Sequence, residues 1–381
     1  LPMSSGDDVT LTREQLLAWR WRAQGLDRSA RADDVRDLDL WALGVQDSPA
    51  GSAALSLAAR VRGGLDAVPD LADGRRFTTV WGTRGAPLVL RNGDVAAFAA
   101  AIWPVDDADA VSRLSGNGQQ LRKSGVDSVE AIRVTAGVMA RAVSGEMTKG
   151  EVSAEISPKL PDDYITWCRG CQAHHLGDQL MRVAGLPAGL KLVPGASPAT
   201  LAPIARWKGA PAASAMGDLV DAHLRLYGPS TPGDVAAFLQ ATAAAVKSVW
   251  PDDLVPVTVE GKRRFARPDD ADGLADAPEP EGVRLLPRSD AWLLARDRHL
   301  TVPGAADRKT LWPVIGWPGA IVADGEVVAS WRAKAVRSGQ GVAVSVEPFT
   351  SLPKPVRSAI EVEAEGVATQ RGVDDLSVTF T

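Results

Sequence analysis

An order of helix, helix, helix and strand pair recurs along this chain, and that recurrence limits the possible folds more than any single motif. The clearest instance lies at residues 216–266. There GDLVDAHLRLYG reads as a helix stopped by Gly228, STPGDVAAFLQ as a helix capped by Ser230 or Thr231, and ATAAAVKSVW as a third. LVPVTVEGKRRFA follows as a hairpin turning at Glu260-Gly261. A helix, a Gly228-Pro229 turn and two further helices form a helix-turn-helix pattern, and the added strand pair makes it a winged helix. The same order is legible near the start of the chain. A helix over 10–26 carries Thr10 or Thr12 as cap, a second over 32–44 runs from Asp33 to Gly44, and a third over 49–61 begins at Pro49. A ribbon over 76–91 closes this first unit. A middle unit follows, with helices over 128–143 and 148–156, a helix within 172–184, and a strand at 189–193.

The rest of the chain reads differently. Residues 268–282, PDDADGLADAPEPEG, hold no basic residue and suit a solvated linker. Beyond them come strand-like runs at 283–297, 318–334 and 341–349, with a hairpin turn at Asp324-Gly325, a helix at 354–366 and a last strand at 378–380. At 381 residues the chain is too long for one core. The reading is therefore an α+β protein of tandem winged-helix (helix-turn-helix) units followed by a C-terminal β-barrel-like domain. Its boundaries fall at 9–104, 105–205, 206–268 and 283–381.

Charge sets a condition on function. A net charge of −5 counts against indiscriminate binding of polyanions, because phosphate neutralisation ordinarily shows as a basic excess. Local distribution changes the inference: Arg20, Arg22, Arg28, Arg31, Arg36, Arg60 and Arg62 crowd the first sixth of the chain, and Arg75, Arg76, Arg84 and Arg91 follow. No apolar run approaches the roughly 20 residues a bilayer requires, and no basic flank with an apolar stretch opens the chain. Two cysteines make no disulfide framework, so the expected setting is the cytoplasm, with no membrane partner.

Three constellations can carry chemistry. Gln46-Asp47-Ser48 sits in a connection constrained by Gly44 and Pro49. With DNA over this loop, Asp47 would stabilise a sugar cation or activate water that Gln46 positions. The bland alternative is that Asp47 or Ser48 caps the helix beginning at Pro49. In Trp81-Gly82-Thr83-Arg84-Gly85, an arginine between glycines suits a phosphate, and an ordinary hairpin turn would look the same. Cys168-Arg169-Gly170-Cys171-Gln172-Ala173-His174-His175 places two thiols and two imidazoles in eight residues. So short a run rarely wraps four ligands round one ion, so the expectation is no metal, a helix start and cysteines as small buried hydrophobes. His174 and His175 would then face phosphate or base edges. Arg60, and Lys262 and Arg263 at the third unit's hairpin, complete the expected DNA contacts.

The segments LGVQ, WGTRG, RLYGPSTPGDVAAFL, VRLLPRSDAWLL and PGAIVADGEVVASWRAK together resemble a winged-helix DNA-binding family. That family includes the bacterial glycosylases acting on bulky alkylated bases and interstrand crosslinks. The resemblance runs from about residue 11 to about residue 366. It implies three tandem winged helices with a C-terminal β-barrel cupping duplex DNA. It also implies hydrolysis of the N-glycosidic bond of alkylated purines, aided by a Gln-x-Gln or Gln-x-Asp motif in the loop after LG. Here the motif reads Gln46, Asp47, Ser48, with serine at the final position. The ribbon also departs, since relatives read RGTLHL where this chain has Arg84-Gly85-Ala86-Pro87-Leu88-Val89. The expectation is a glycosylase-like DNA repair protein, a monomer without cofactor or metal, acting on double-stranded DNA. The alternatives are a non-catalytic DNA-binding regulator or damage sensor and, third, a protein-interaction scaffold.

Overall fold

Pairing between distant strands decides how the units assemble. The structure, a computed structural model, describes residues 9–27, 34–336 and 339–381; Arg28, Arg31 and Asp33 lie outside them. The fold is α+β. Strand Val9–Leu11 pairs in parallel with Val255–Val259, which pairs antiparallel with Lys262–Ala266. The first described strand therefore lies in the sheet of the third expected unit, not the first. Helix Arg13–Ala23 follows, held at its start by a reciprocal capping box between Thr12 and Gln15. It buries Leu16, Leu17 and Trp21. Its Arg20 forks onto Asp297 at 3.0 and 2.7 Å, and Arg264 of the hairpin reaches the same carboxylate at 2.9 Å.

The ribbons expected in the first and second units merge into one six-stranded sheet. Its order is Val45–Gln46, Pro87–Arg91, Phe77–Trp81, Leu190–Leu192, Thr200–Pro203 and Met147–Thr148. A single residue pair, Thr79 opposite Leu192, joins the halves. One core spans Trp41, Leu57, Leu90 and Phe98 together with Leu219, Leu224, Tyr227 and Phe238, so the first and third expected units share an interior. A second core lies within the middle segment, around Leu114, Ile132, Met139, Ile156, Leu180 and Leu201.

Local structure departs from the reading where side chains compete with the backbone. The helix expected over 32–44 is two short 3-10 turns, Val35–Asp37 and Asp39–Ala42, and Asp34 accepts the Arg36 N–H at 2.8 Å to begin the first. Gly44 ends the segment at φ +72°. In the middle segment two further helices, Asp107–Leu114 and Gly116–Lys123, precede Ser128–Ala142 and Lys149–Ile156. Every element expected over 216–266 is present: Met216–Tyr227, Pro232–Leu239 with a Thr231/Asp234 capping box, Ala243–Ser248 capped by Thr242, and the hairpin turning at Glu260 and Gly261.

The C-terminal sheet has five strands in the order Val283–Leu286, Gly319–Ala323, Glu326–Val336, Gly341–Pro348 and Asp375–Phe380, the last pair parallel. Helix Lys354–Gln370 buries Ile360, Ala364, Val367 and Ala368 with the core of this sheet. Among the described residues the two outer strands pair with no one on their far sides, so the sheet is open and the expected barrel does not close. The acidic segment is more than a tether: Pro268–Ala271 is a short helix and Leu274 is buried against Leu11 and Leu16. Among the described residues no helix is long and apolar enough to cross a membrane.

Candidate active site and nucleic-acid interface

The loop after Gly44 is fixed on both sides. Val45 and Gln46 pair with Val89 and Leu88, and the Asp47 N–H donates to the Pro87 carbonyl at 2.9 Å. From there the chain turns through Ser48 and Pro49 into helix Ser52–Ala58. Asp47 turns its carboxylate towards that helix and accepts the Ala53 N–H at 3.0 Å. Burial raises its pKa, and the backbone N–H groups of Ala53, Gly51 and Ser52 pull against that rise. Asp47 thus accepts from the first turn of that helix, close to the bland alternative, although the helix begins at Ser52 and its N-cap position is Gly51. Helix Ser52–Ala58 is itself bolted down: Ser56 donates to Asp290 at 2.5 Å, and Arg60, just beyond, forks onto Asp290 at 2.6 and 2.7 Å.

Gln46 faces a different environment. Arg84, at φ +61°, donates to Gln46 Oε1 at 3.2 Å and to the Phe238 carbonyl at 2.5 Å. Its guanidinium also lies 5.0 Å from the Phe238 ring centre. Burial, with the nearby Arg296 charge, lowers the Arg84 pKa to about 10, so it stays charged at neutral pH. Arg84 therefore fixes the Gln46 amide from within: Oε1 is held at the guanidinium, which leaves Nε2 as the donor outside that contact. The phosphate contact expected of Arg84 gives way to this inward role. Phe238 lies in the last turn of helix Pro232–Leu239, so the third expected unit helps build the site of the first.

Gln46 and Ser48 open onto a cleft of about 200 Å³ with Arg288, Ser289, Gly316 and Trp317. Arg288 Nε donates to the Ser48 carbonyl at 3.2 Å and the Ser289 hydroxyl to the Gln46 carbonyl at 3.3 Å, so residues some 240 positions away clamp the loop. Arg288 and Trp317 also line an adjoining cavity of about 420 Å³ with Arg332, Arg371, Trp331 and Gln370 on its walls. Among the described residues no Asp or Glu lines either space. In a chain of net charge −5, that is a local electropositive surface. On the rim, between Pro313 and Pro318, Val314 is 100% and Ile315 87% exposed. Trp317 holds this loop by donating to the Pro313 carbonyl at 2.6 Å, and Arg298 lies 4.5 and 5.1 Å from the Trp312 and Trp317 ring centres.

The remaining expected DNA contacts lie elsewhere. Arg60 is fully buried and has no surface to offer DNA; it belongs to the structural pair with Asp290. Lys262 and Arg263 are exposed on the hairpin beyond Gly261. His174 and His175 do not start a helix. They belong to strand Ala173–Leu176, which pairs with Ile165–Cys168 in a separate two-stranded hairpin, and Cys171 is exposed at its tip. Gly170 and Gln172, the latter at φ +51°, make the reversal that the helical reading missed. Arg288, Trp317, Arg332 and Arg371 were not expected. The signal for Arg288 was its place in VRLLPRSDAWLL, but nothing local ties that segment to Gln46.

Residues 39–369 match the family described as DNA glycosylase AlkZ-like. This is most of the chain, and it includes both the Gln46 loop and the Arg288 segment that clamps it. The chain belongs to that family. An interstrand DNA cross-link repair glycosylase from Streptomyces sahachiroi is 30% identical to this AlkZ-like chain over 175 residues, 42% of this chain and 44% of that relative. The chain thus aligns with less than half of that relative's length. The solved structure of the Streptomyces sahachiroi DNA glycosylase AlkZ superposes with a TM-score of 0.73 at 22% identity, covering 98% of this chain and all of the other. At that identity the match establishes a shared fold for the AlkZ-like chain.

Proposed function

We propose that this chain is a DNA glycosylase that hydrolyses the N-glycosidic bond of alkylated purines in duplex DNA, and that its helical units act as three interwoven winged helices. One observation carries the reading: Gln46 opens onto a cleft with Arg288 and Trp317, and the adjoining cavity that shares those two residues is walled by Arg332, Arg371 and Trp331, with no Asp or Glu among the described residues lining either. The arginines suit the phosphates either side of a lesion, and the indoles suit an unstacked base. The exposed pair Val314 and Ile315 beside the cleft fits the gap a displaced base leaves.

The chemistry is sparse. A purine alkylated at N7 carries a formal positive charge, so when its bond to the sugar breaks the electron pair leaves with N9 and the base departs neutral. No general acid is needed. The sugar cation is captured by water: the water oxygen bonds to C1′ and a proton passes to solvent. Gln46 supplies the positioning, with Nε2 donating to the water oxygen while Arg84 holds Oε1. Ser48 lines the same cleft. Asp47 acts on the loop's conformation, through its bond from the Ala53 N–H.

The second reading, a damage sensor that binds without cleavage, is favoured by the lack of any carboxylate lining the cleft and by Ser48 at the final motif position. One experiment separates them. Duplex DNA carrying N7-alkylguanine is incubated with the protein and probed for abasic sites. The glycosylase reading expects base release that Gln46→Ala abolishes. Tight, salt-sensitive binding without release would support the sensor.

A further inference from the structure

Among the described residues the hairpin Ile165–Cys168/Ala173–Leu176 pairs with no other sheet, and it gathers the two cysteines of the chain with His175. Thr166 lies opposite His175 and Cys168 opposite Ala173, so Cys168 and His175 share one face by strand alternation. Trp167 and His174 occupy the other face, their rings 5.0 Å apart. The turn Arg169-Gly170 brings Cys171 back over the first face. One ligand atom from each of Cys168, Cys171 and His175 then lies within 4.8 Å of the others. A tetrahedral zinc site needs about 3.5–3.8 Å between such atoms, a contraction that side-chain rotation at an exposed tip supplies. The imidazole is already oriented. His175 Nδ1 lies 2.7 Å from the Leu176 carbonyl, and with its proton there Nε2 carries the lone pair. That buried Nε2 has no hydrogen-bond partner.

We infer that Cys168, Cys171 and His175 form a zinc(II) site. Two thiolates and an imidazole are a soft to borderline set that selects zinc over magnesium or calcium. Binding displaces the two thiol protons and leaves the fourth position to water. Among the described residues no fourth Cys, His, Asp or Glu joins the cluster. The site's role is to tie the tip of a hairpin that two strands alone hold weakly, and so to fix Trp167, 51% exposed, on its outer face.

The test is a zinc titration of the reduced full-length protein in competition with a chromophoric chelator, paired with cobalt(II) substitution. The expected result is one zinc per chain, a thiolate-to-cobalt charge-transfer band, and affinity lowered at least about 100-fold by Cys168→Ser or Cys171→Ser. His175→Ala should weaken binding, while His174→Ala, on the opposite face, should leave it unchanged. Absence of saturable binding would overturn the inference. So would equal affinity in the cysteine variants, or cysteines that react with a thiol reagent as fast with zinc as without it.

Discussion

Asp47 separates a structural role from a chemical one within a single side chain. Its carboxylate accepts the Ala53 N–H and turns from the cleft, so the change to test is one that keeps the acceptor and removes the charge. Asp47→Asn should retain both thermal stability and base release. Asp47→Ala should lose about 1–2 kcal/mol of stability, read from denaturant unfolding, and slow release as the loop loosens. Inactive but fully stable Asp47→Asn protein would show that the carboxylate takes part in the chemistry. Arg84 is the complementary case. It touches Gln46 and not the outer cleft surface, so Arg84→Met should lower the single-turnover rate while leaving DNA affinity nearly unchanged; parallel losses in both would place it on phosphate.

At the scale of elements, buried ionic and aromatic clusters join segments far apart in sequence. Helix Arg13–Ala23, hairpin Lys262–Ala266 and Asp297 meet in one network, and the two arginines hold the Asp297 carboxyl down at about 2 despite its burial. Its unfolded value is 3.8, so the pairing contributes about 2 kcal/mol above that value, lost as pH falls from about 4 to 2. His223 acts over a higher range. On helix Met216–Tyr227 it is buried against Tyr227 and Phe238, and desolvation pushes its pKa down from 6.5 to about 3. Unfolding lets it take up a proton below 6.5, so stability falls by about 1.4 kcal/mol per pH unit between 6.5 and 3. His223→Phe should flatten the unfolding free energy over that interval; an unchanged slope would mean that another group titrates there. Asp290 offers a further check, since Asp290→Ala strands the Arg60 charge in the core and should cost about 3–5 kcal/mol in chemical denaturation.

Much of the fold was legible in the sequence because capping is local. Thr12, Thr148 and Thr231 each announce a helix start within four residues, and Glu260-Gly261 a turn. The assembly was not legible, because the pairing of Val9–Leu11 with Val257, or of Thr79 with Leu192, depends on residues far from one another in the chain. The site divides along the same line. Gln46 stood out in its loop, whereas Arg288 reaches Ser48 across 240 positions and Arg60, which looked basic and available, is used up inside. Across the whole molecule these links converge on two adjoining spaces that share Arg288 and Trp317, with no Asp or Glu among the described residues that line them. Arg332→Ala with Arg371→Ala should therefore weaken binding to any duplex sequence and flatten its salt dependence by about two counterions. In the proposed reaction Gln46 directs water onto a sugar held in the cleft it lines. Single-turnover release of N7-alkylguanine from duplex DNA tests this: the wild type should leave abasic sites, and Gln46→Ala, at equal DNA affinity, none above background. Release by Gln46→Ala at the wild-type rate, or none by either protein, would contradict it.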